Sequence, residues 1–155
     1  MEEERERYVE DFAVMFERFG LPRMMGRVLG ALLVSNPPEL SAGGLAELLR
    51  ASRGSISQTT RSLVQMGLVE RLTKLGERRD YFRVKPGAWD DLMRSQLESV
   101  TTVRQMAERG LEVVPPDAQS ARQNLEEMRD FYGFWEGQMH HLLKLWKQER
   151  GGSEQ

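Results

Sequence analysis

The polar residues of one predicted helix, residues 53–66, are of the types that read DNA bases. When Ile56 is set at zero and each residue advances by 100°, Thr60 and Leu63 fall near it and form a side that packs inward. The opposite side and its flanks carry Gly54, Ser55, Ser57, Gln58, Arg61, Ser62 and Gln65. Glutamine can bond adenine and arginine can bond guanine through two atoms each, and small hydroxyl residues allow close approach. The pattern predicts a helix that lies in the major groove.

The charge around this helix distinguishes a DNA-contacting face from a merely solvated one. Solvated faces usually carry Glu and Lys, and residues 53–66 contain neither. Residues 50–69 contain no acid at all, and between Arg50 and Lys85 nine Lys or Arg stand against three acidic residues. The whole chain has a formal net charge of −2, so this positive excess is local. It favours contact with a polyanion.

The residues before this helix have the order of a helix-turn-helix. Glu39-Leu40 is a candidate short strand, and Ser41 is a good N-cap for a helix that carries Leu45. Ser52 is the candidate N-cap of the helix over residues 53–66, which Gly67 closes.

A hairpin follows directly. Residues 68–72 and 80–84 read as paired strands, and residues 74–79 form a basic tip around Gly76. Lys74, Arg78 and Arg79 in this tip are candidate contacts to phosphate or to the minor groove. A basic hairpin directly after a helix pair predicts a winged helix-turn-helix.

Helices are also predicted at both ends of the chain. The first, residues 4–19, carries one aromatic stripe, and whether that stripe packs inside its own chain or against another subunit stays open. The last, residues 118–149, has apolar residues at alternating steps of three and four, which is a coiled-coil-like seam. A seam this long favours homodimerisation, and a dimer suits a palindromic DNA site. The candidate dimerisation residues are Tyr8, Phe12, Phe16, Phe19, Leu125, Met128, Tyr132, Trp135, Met139, Leu142 and Trp146.

The predicted fold is therefore mainly α with a small β-hairpin wing, as a winged helix-turn-helix core flanked by N- and C-terminal dimerisation helices. A chain of 155 residues is long enough for this core and a helical accessory layer. We divide it into an N-terminal dimerisation helix (1–20), a DNA-binding domain (21–86), a C-terminal helical region for dimerisation and a candidate effector (87–150), and a disordered tail (151–155).

Several other classes of function have no support in the sequence. Cysteine is absent, and the adjacent His140 and His141 diverge by 100° on a helix, so no metal site is predicted. Phosphate-binding glycine motifs and a convincing catalytic triad are missing, so we predict neither an enzyme nor a cofactor. The N-terminus has no apolar signal segment, and no apolar run is long enough to cross a membrane. A cytoplasmic protein is expected.

Residues 21–84 carry a resemblance. The opening P-R-x-x-G-R-V-L-G-x-L-L, the segment S-R-G-S-I-S and the wing G-x-V-E-R followed by G-E-R-R-D-Y-F-R-V resemble the GbsR-type branch of the MarR-like winged-helix transcriptional regulators. The resemblance implies a dimer that binds operator DNA and often represses transcription. It also places Arg53, Ser55, Ser57, Gln58 and Arg61 on the recognition helix and Arg78 and Arg79 in the wing.

We therefore expect a homodimeric regulator that binds double-stranded DNA sequence-specifically as a repressor. Some members of the family that it resembles sense choline or similar small molecules, so release by an effector stays open, and no ligand is transferred. The alternative is a winged-helix module that meets an acidic protein partner without sequence-specific DNA binding. Binding to random duplex DNA with a steep salt dependence would favour the first hypothesis.

Overall fold

The computed structural model describes residues 2–152 as six α-helices and three short β-strands, which confirms the predicted fold class. Their order is α1 (Glu2–Arg18), α2 (Arg23–Leu33), β1 (Leu40–Ser41), α3 (Ala42–Leu48), α4 (Arg53–Gln65), β2 (Val69–Thr73), β3 (Asp80–Val84), α5 (Ala88–Val113) and α6 (Gln119–Gly152). The chain forms two compact units that divide between Trp89 and Asp90. Each unit is described by itself.

Helix α2 is the centre of the first unit. Seven of its eleven residues are buried, among them Val28 and Leu29 at no more than 1% exposure. It packs against α1, α4 and β3, so apolar residues are needed on most of its circumference. This explains why it is far more apolar than an ordinary surface helix, which has a single apolar stripe.

Helix α1 comes unusually close to α2 because two residues of α2 have no side chain. A Cβ atom on Gly26 would lie 2.7 Å from the Ala13 Cα and 2.7 Å from the Phe12 carbonyl oxygen. On Gly30 it would lie 3.0 Å from the Phe12 Cβ. Distances under 3.0 Å to backbone atoms cannot be relieved by a rotamer change, so the two helix backbones touch at Gly26.

The sheet has three antiparallel strands in the order β1-β3-β2. The two wing strands pair in the register Val69↔Val84 to Thr73↔Asp80. The short strand predicted at Glu39-Leu40 lies one residue later, at Leu40–Ser41, and pairs with the outer side of β3. The hairpin is thereby attached to the chain segment that leads into the helix-turn-helix.

The second unit is an antiparallel pair of long helices. Arg104 Nε donates to Glu136 at 2.8 Å, and Trp146 Nε1 donates to Asp90 at 2.5 Å. The later residue of α6 thus meets the earlier residue of α5, as in an antiparallel pair. The connection at residues 114–118 contains Pro115 and Pro116, which cannot continue a helix and so separate α5 from α6. Residues 151 and 152 continue α6, whereas the rest of the predicted tail, residues 153–155, lies outside the described residues.

A test of the α1–α2 contact is the replacement Gly26→Ala. We expect the free energy of unfolding to fall by about 1–3 kcal/mol, because the new methyl group forces the backbones apart in a packed core. Urea denaturation measures this. The control is Gly54→Ala in α4, where a Cβ atom meets nothing within 4 Å and the better helix former should not lower stability. Equal stability of Gly26→Ala and the wild type would contradict the close approach.

Candidate nucleic-acid interface

Helix α4 is fixed in the first unit by its cap and by its buried side. Ser52 Oγ accepts a hydrogen bond from the Ser55 backbone N–H at 3.1 Å, which confirms the predicted N-cap. Ile56, Thr60 and Leu63 are at most 2% exposed, as their spacing predicts. The Thr60 hydroxyl donates to the Ile56 carbonyl at 2.8 Å, so this buried polar group is satisfied within the helix.

The outward side of α4 carries most of the predicted contact residues. Arg53, Ser57, Gln58 and Arg61 are exposed, while Ser55 and Ser62 are half-buried at its margin. The Ser62 hydroxyl donates to the Gln58 carbonyl at 3.2 Å, so it is turned toward the helix backbone. The structure thus brings four of the six side chains together on one surface and leaves two serines at its edge.

The two arginines of this surface differ from other arginines of the same unit in their ion pairing. Within residues 2–152, neither Arg53 nor Arg61 forms an ion pair. Arginines elsewhere in the same unit do have partners: Arg83 Nε lies 2.5 Å from Glu70, and Arg27 Nε lies 2.7 Å from Glu10. An unpaired guanidinium is available to phosphate or to guanine without first breaking an internal contact.

The turn between α3 and α4 depends on the backbone conformation of Arg50, which the sequence does not indicate. Arg50 has a φ of +49°, in the left-handed region where glycine is usual. Its backbone N–H donates to the Glu47 carbonyl, and the N–H of Ala51 donates to the Ala46 carbonyl at 2.9 Å. These two bonds form a Schellman motif, which ends α3 and sets the direction of α4. Arginine at this position gives no warning of the conformation.

The wing tip also presents free cations. Gly76 has a φ of +82°, which allows the tight turn between β2 and β3. Arg78 and Arg79 follow it, both are exposed, and in the described part of the chain neither forms an ion pair. They carry the positive charge that a nucleic-acid backbone would meet at this end of the sheet.

Lys74 differs from these two arginines. Its Nζ lies 3.1 Å from Glu39 Oε1 and 4.2 Å from the centre of the Tyr81 ring. The hydrogen bond with Glu39 is the largest cause that raises the pKa of Lys74 above its ordinary value. The Lys74 ammonium therefore has a partner inside the chain, which the sequence did not reveal because Glu39 is 35 residues away.

The aromatic stripe of residues 8–19 is partly buried within the chain and partly exposed. Phe16 is only 6% exposed, so it belongs to the core of its own chain. Phe12 is half-buried and lies over Gly30, with its ring 5.6 Å from that of Tyr8. Tyr8 and Phe19 are exposed, Phe19 at 69%. Only these last two offer a partner much apolar surface.

The seam of α6 is divided in the same way. Met139 is 6% exposed, and Leu125 lies against Gly110 of α5, where an added Cβ atom would lie 2.7 Å from Leu125 Cδ2. Met128 and Tyr132 are half-buried. The remaining seam residues, Trp135, Leu142 and Trp146, are 46–54% exposed. Two neighbouring aromatic residues outside the seam, Phe131 and Phe134, are 54% and 65% exposed.

Residues 2–152 lack the features of two other kinds of site. No group of three or more His, Asp or Glu side chains is arranged to hold a metal ion there. None of the helices combines the length and the apolar character that a membrane crossing requires. A cleft of about 390 Å³ does lie in the first unit, with Val9, Ala31 and Leu49 among its apolar residues and Arg5 and Arg27 among its charged ones.

Comparison with known proteins gives consistent matches. Residues 19–79 match the MarR family, and residues 87–149 match the MmpR5-like MarR family transcriptional regulators. The chain is 35% identical over 144 residues to the HTH-type transcriptional regulator MmpR5 of Mycobacterium tuberculosis strain H37Rv, which covers 93% of this chain and 87% of that protein.

Two further proteins are similar. The HTH-type transcriptional repressor OpcR of Bacillus subtilis strain 168 is 28% identical over 85 residues, 55% of this chain and 45% of that protein. A crystal structure of a transcriptional regulator superposes with a TM-score of 0.82 at 34% identity, covering 94% of this chain and 99% of that one. The matched relatives are regulators, which confirms the expectation that this chain is not an enzyme.

The left-handed residue in the turn gives a prediction about stability. Arg50→Gly should raise the free energy of unfolding by about 1 kcal/mol, because glycine adopts a positive φ without the steric cost of a Cβ atom. Thermal or urea unfolding measures it. Arg50→Ala is the matched control: it also removes the guanidinium but keeps the Cβ atom, so it should bring no such gain. Equal stabilisation by both variants would assign the effect to charge instead.

Proposed function

The chain belongs to the MarR family of transcriptional regulators, and on this premise we propose that it binds a palindromic operator as a homodimer and represses transcription. The observation that carries the proposal is the exposed side of α4, where arginine, glutamine and serine side chains lie together without a carboxylate. Such a surface can approach phosphate closely and still offer side chains that distinguish bases.

Within this proposal the helix and the wing have different tasks. Arg61 and Gln58, near the middle of the exposed side of α4, read base edges, and Arg53 and Ser57 contact the groove beside them. Ser55 and Ser62 lie at the margin, where they support close approach. Arg78 and Arg79 contact phosphate or the minor groove from the wing tip. Lys74 is left out of the direct contacts because Glu39 holds its ammonium.

The proposed homodimer rests on apolar surface that a single chain leaves uncovered. In α6, Trp135 and Trp146 are each 46% exposed, and Phe134 is 65% exposed. Large aromatic side chains in one region are typical of protein interfaces rather than of free surface. Tyr8 in α1 and Phe19 just after it add further exposed rings, whereas Phe16 and Met139 are buried and offer a partner little surface.

A small-molecule effector, membership of the GbsR-type branch and a cytoplasmic location are also part of the proposal. A small-molecule effector is supported by the 390 Å³ cleft, whose volume and mixed lining suit an organic ligand. Membership of the GbsR-type branch is supported by the motifs of residues 21–84. A cytoplasmic location is supported by the task of binding DNA.

The proposal predicts two distinguishable kinds of DNA-binding defect. Arg61→Ala should cost about 1–3 kcal/mol and relax specificity at one base pair, because it removes a base contact. Arg78→Ala combined with Arg79→Ala should weaken binding to every sequence and reduce the slope of log K against log salt by about 0.9 for each phosphate that is no longer neutralised. Selection from a random duplex pool, followed by titration at several salt concentrations, measures both.

Arg18→Ala controls for the change in net charge, since Arg18 is an exposed cation at the end of α1. It should leave specificity and salt slope close to those of the wild type. If the wild-type protein binds the selected sequence no better than random DNA, sequence-specific reading is contradicted. If it binds no duplex at all but captures an acidic protein, the interaction-module alternative replaces the proposal.

The dimer gives a separate prediction. Trp135→Glu should raise the dissociation constant of the dimer about 30-fold or more, because an interface aromatic contributes about 2 kcal/mol or more and a carboxylate cannot be buried unpaired. Sedimentation over a range of concentrations measures it, with circular dichroism to check that the helices persist. Gln148→Glu, on the opposite side of α6, is the control that adds the same charge and should leave the dimer unchanged. A wild-type protein that stays monomeric throughout would contradict the proposal.

A further inference from the structure

The carboxylates around the wing tip are all engaged by partners other than the tip arginines. Glu39 Oε1 forms an ion pair with Lys74 Nζ at 3.1 Å, and Asp80 Oδ2 lies 3.8 Å from Arg71 Nε. Glu77 Oε2 accepts a hydrogen bond of 2.5 Å from the Tyr81 hydroxyl. The pairing of Glu77 with Tyr81 is unexpected from the sequence, because Glu77 immediately precedes Arg78 and Arg79 in the same exposed turn.

The position of Tyr81 explains how it reaches across the tip. It lies in β3 opposite Leu72 of β2 and Ser41 of β1, so its backbone is fixed from both sides of the strand. Its ring also carries the Lys74 ammonium at 4.2 Å. The backbone of Tyr81 is thus held by two neighbouring strands, whereas Glu77 lies in the turn between β2 and β3. The hydrogen bond to Glu77 is also the largest cause that raises the pKa of Tyr81, so the phenol keeps the proton that it donates.

We propose that the Tyr81 hydroxyl is a positioning group that holds the Glu77 carboxylate away from Arg78 and Arg79 and so keeps both arginines available to DNA phosphate. Without the hydroxyl, the carboxylate is released next to two unpaired guanidinium groups, and an internal ion pair competes with the nucleic acid. The proposal rests on the proposed function, since it concerns the wing contacts of that same DNA site.

A double-mutant cycle tests the proposal. Tyr81→Phe removes the hydroxyl but keeps the ring beneath Lys74, and Glu77→Gln removes the charge that would compete. In the presence of Glu77, Tyr81→Phe should weaken binding to duplex DNA about three- to fivefold at low salt, the range of an exposed ion pair. In the Glu77→Gln background the same change should have an effect of less than about twofold, because no carboxylate is left to capture the arginines.

A second measurement needs no DNA. In ¹⁵N NMR spectra of the free protein, the Nε signals of Arg78 or Arg79 should move on Tyr81→Phe and return when Glu77→Gln is added. This separates the inference from the proposed function: if none of the four proteins binds DNA, the proposed function fails while the spectra still decide the pairing.

The outcomes are distinct. Weakening that Glu77→Gln rescues, with the matching return of the arginine signals, supports the inference. Equal weakening in both backgrounds would show that Tyr81 only stabilises the hairpin, and the inference would be overturned. It would equally be overturned if Tyr81→Phe changed neither DNA binding nor the arginine signals.

Discussion

The close approach of α1 and α2 at Gly26 and Gly30 is the constraint on which the packing of the first unit depends. α2 packs against α1, α4 and β3. An added Cβ atom at Gly26 would lie 2.7 Å from backbone atoms of α1, and at Gly30 it would lie 3.0 Å from the Phe12 side chain. Helix α4, the proposed recognition helix, packs on the same α2, so its outward side is supported by the α1–α2 contact. Rigid support of this kind is what base reading requires, because side chains must meet base edges within hydrogen-bond distance.

Much of the secondary structure of this unit can be predicted from residues that are close together in the sequence. The caps at Ser41 and Ser52, the glycine that closes α4 and the alternation of the wing strands each depend on a few neighbouring residues, and each was predictable. The packing of α1 on α2 was not. A glycine inside a helical sequence indicates only a weaker helix, and its use for close packing depends on residues from another element. For the same reason Arg50 gave no indication of its left-handed backbone.

The candidate site was predictable in its residue types and much less so in its electrostatics. The sequence indicated which side of α4 faces outward, because periodicity decides that. It could not distinguish Lys74 from Arg78, since an ion pair with Glu39 depends on how β1 lies beside β3. A count of charges therefore overstates the number of unpaired cations, because some of them, such as Lys74, form ion pairs within the wing region.

Ser41 belongs to two structures at once. Its backbone lies in β1 opposite Tyr81 of β3, and its hydroxyl accepts the hydrogen bond from Gly44 that caps α3. Separation of β1 from the wing would thus release the backbone of the residue that caps the first helix of the helix-turn-helix. We therefore expect local opening of the wing and of the start of α3 to be coupled, which exchange of their amide protons with solvent would measure.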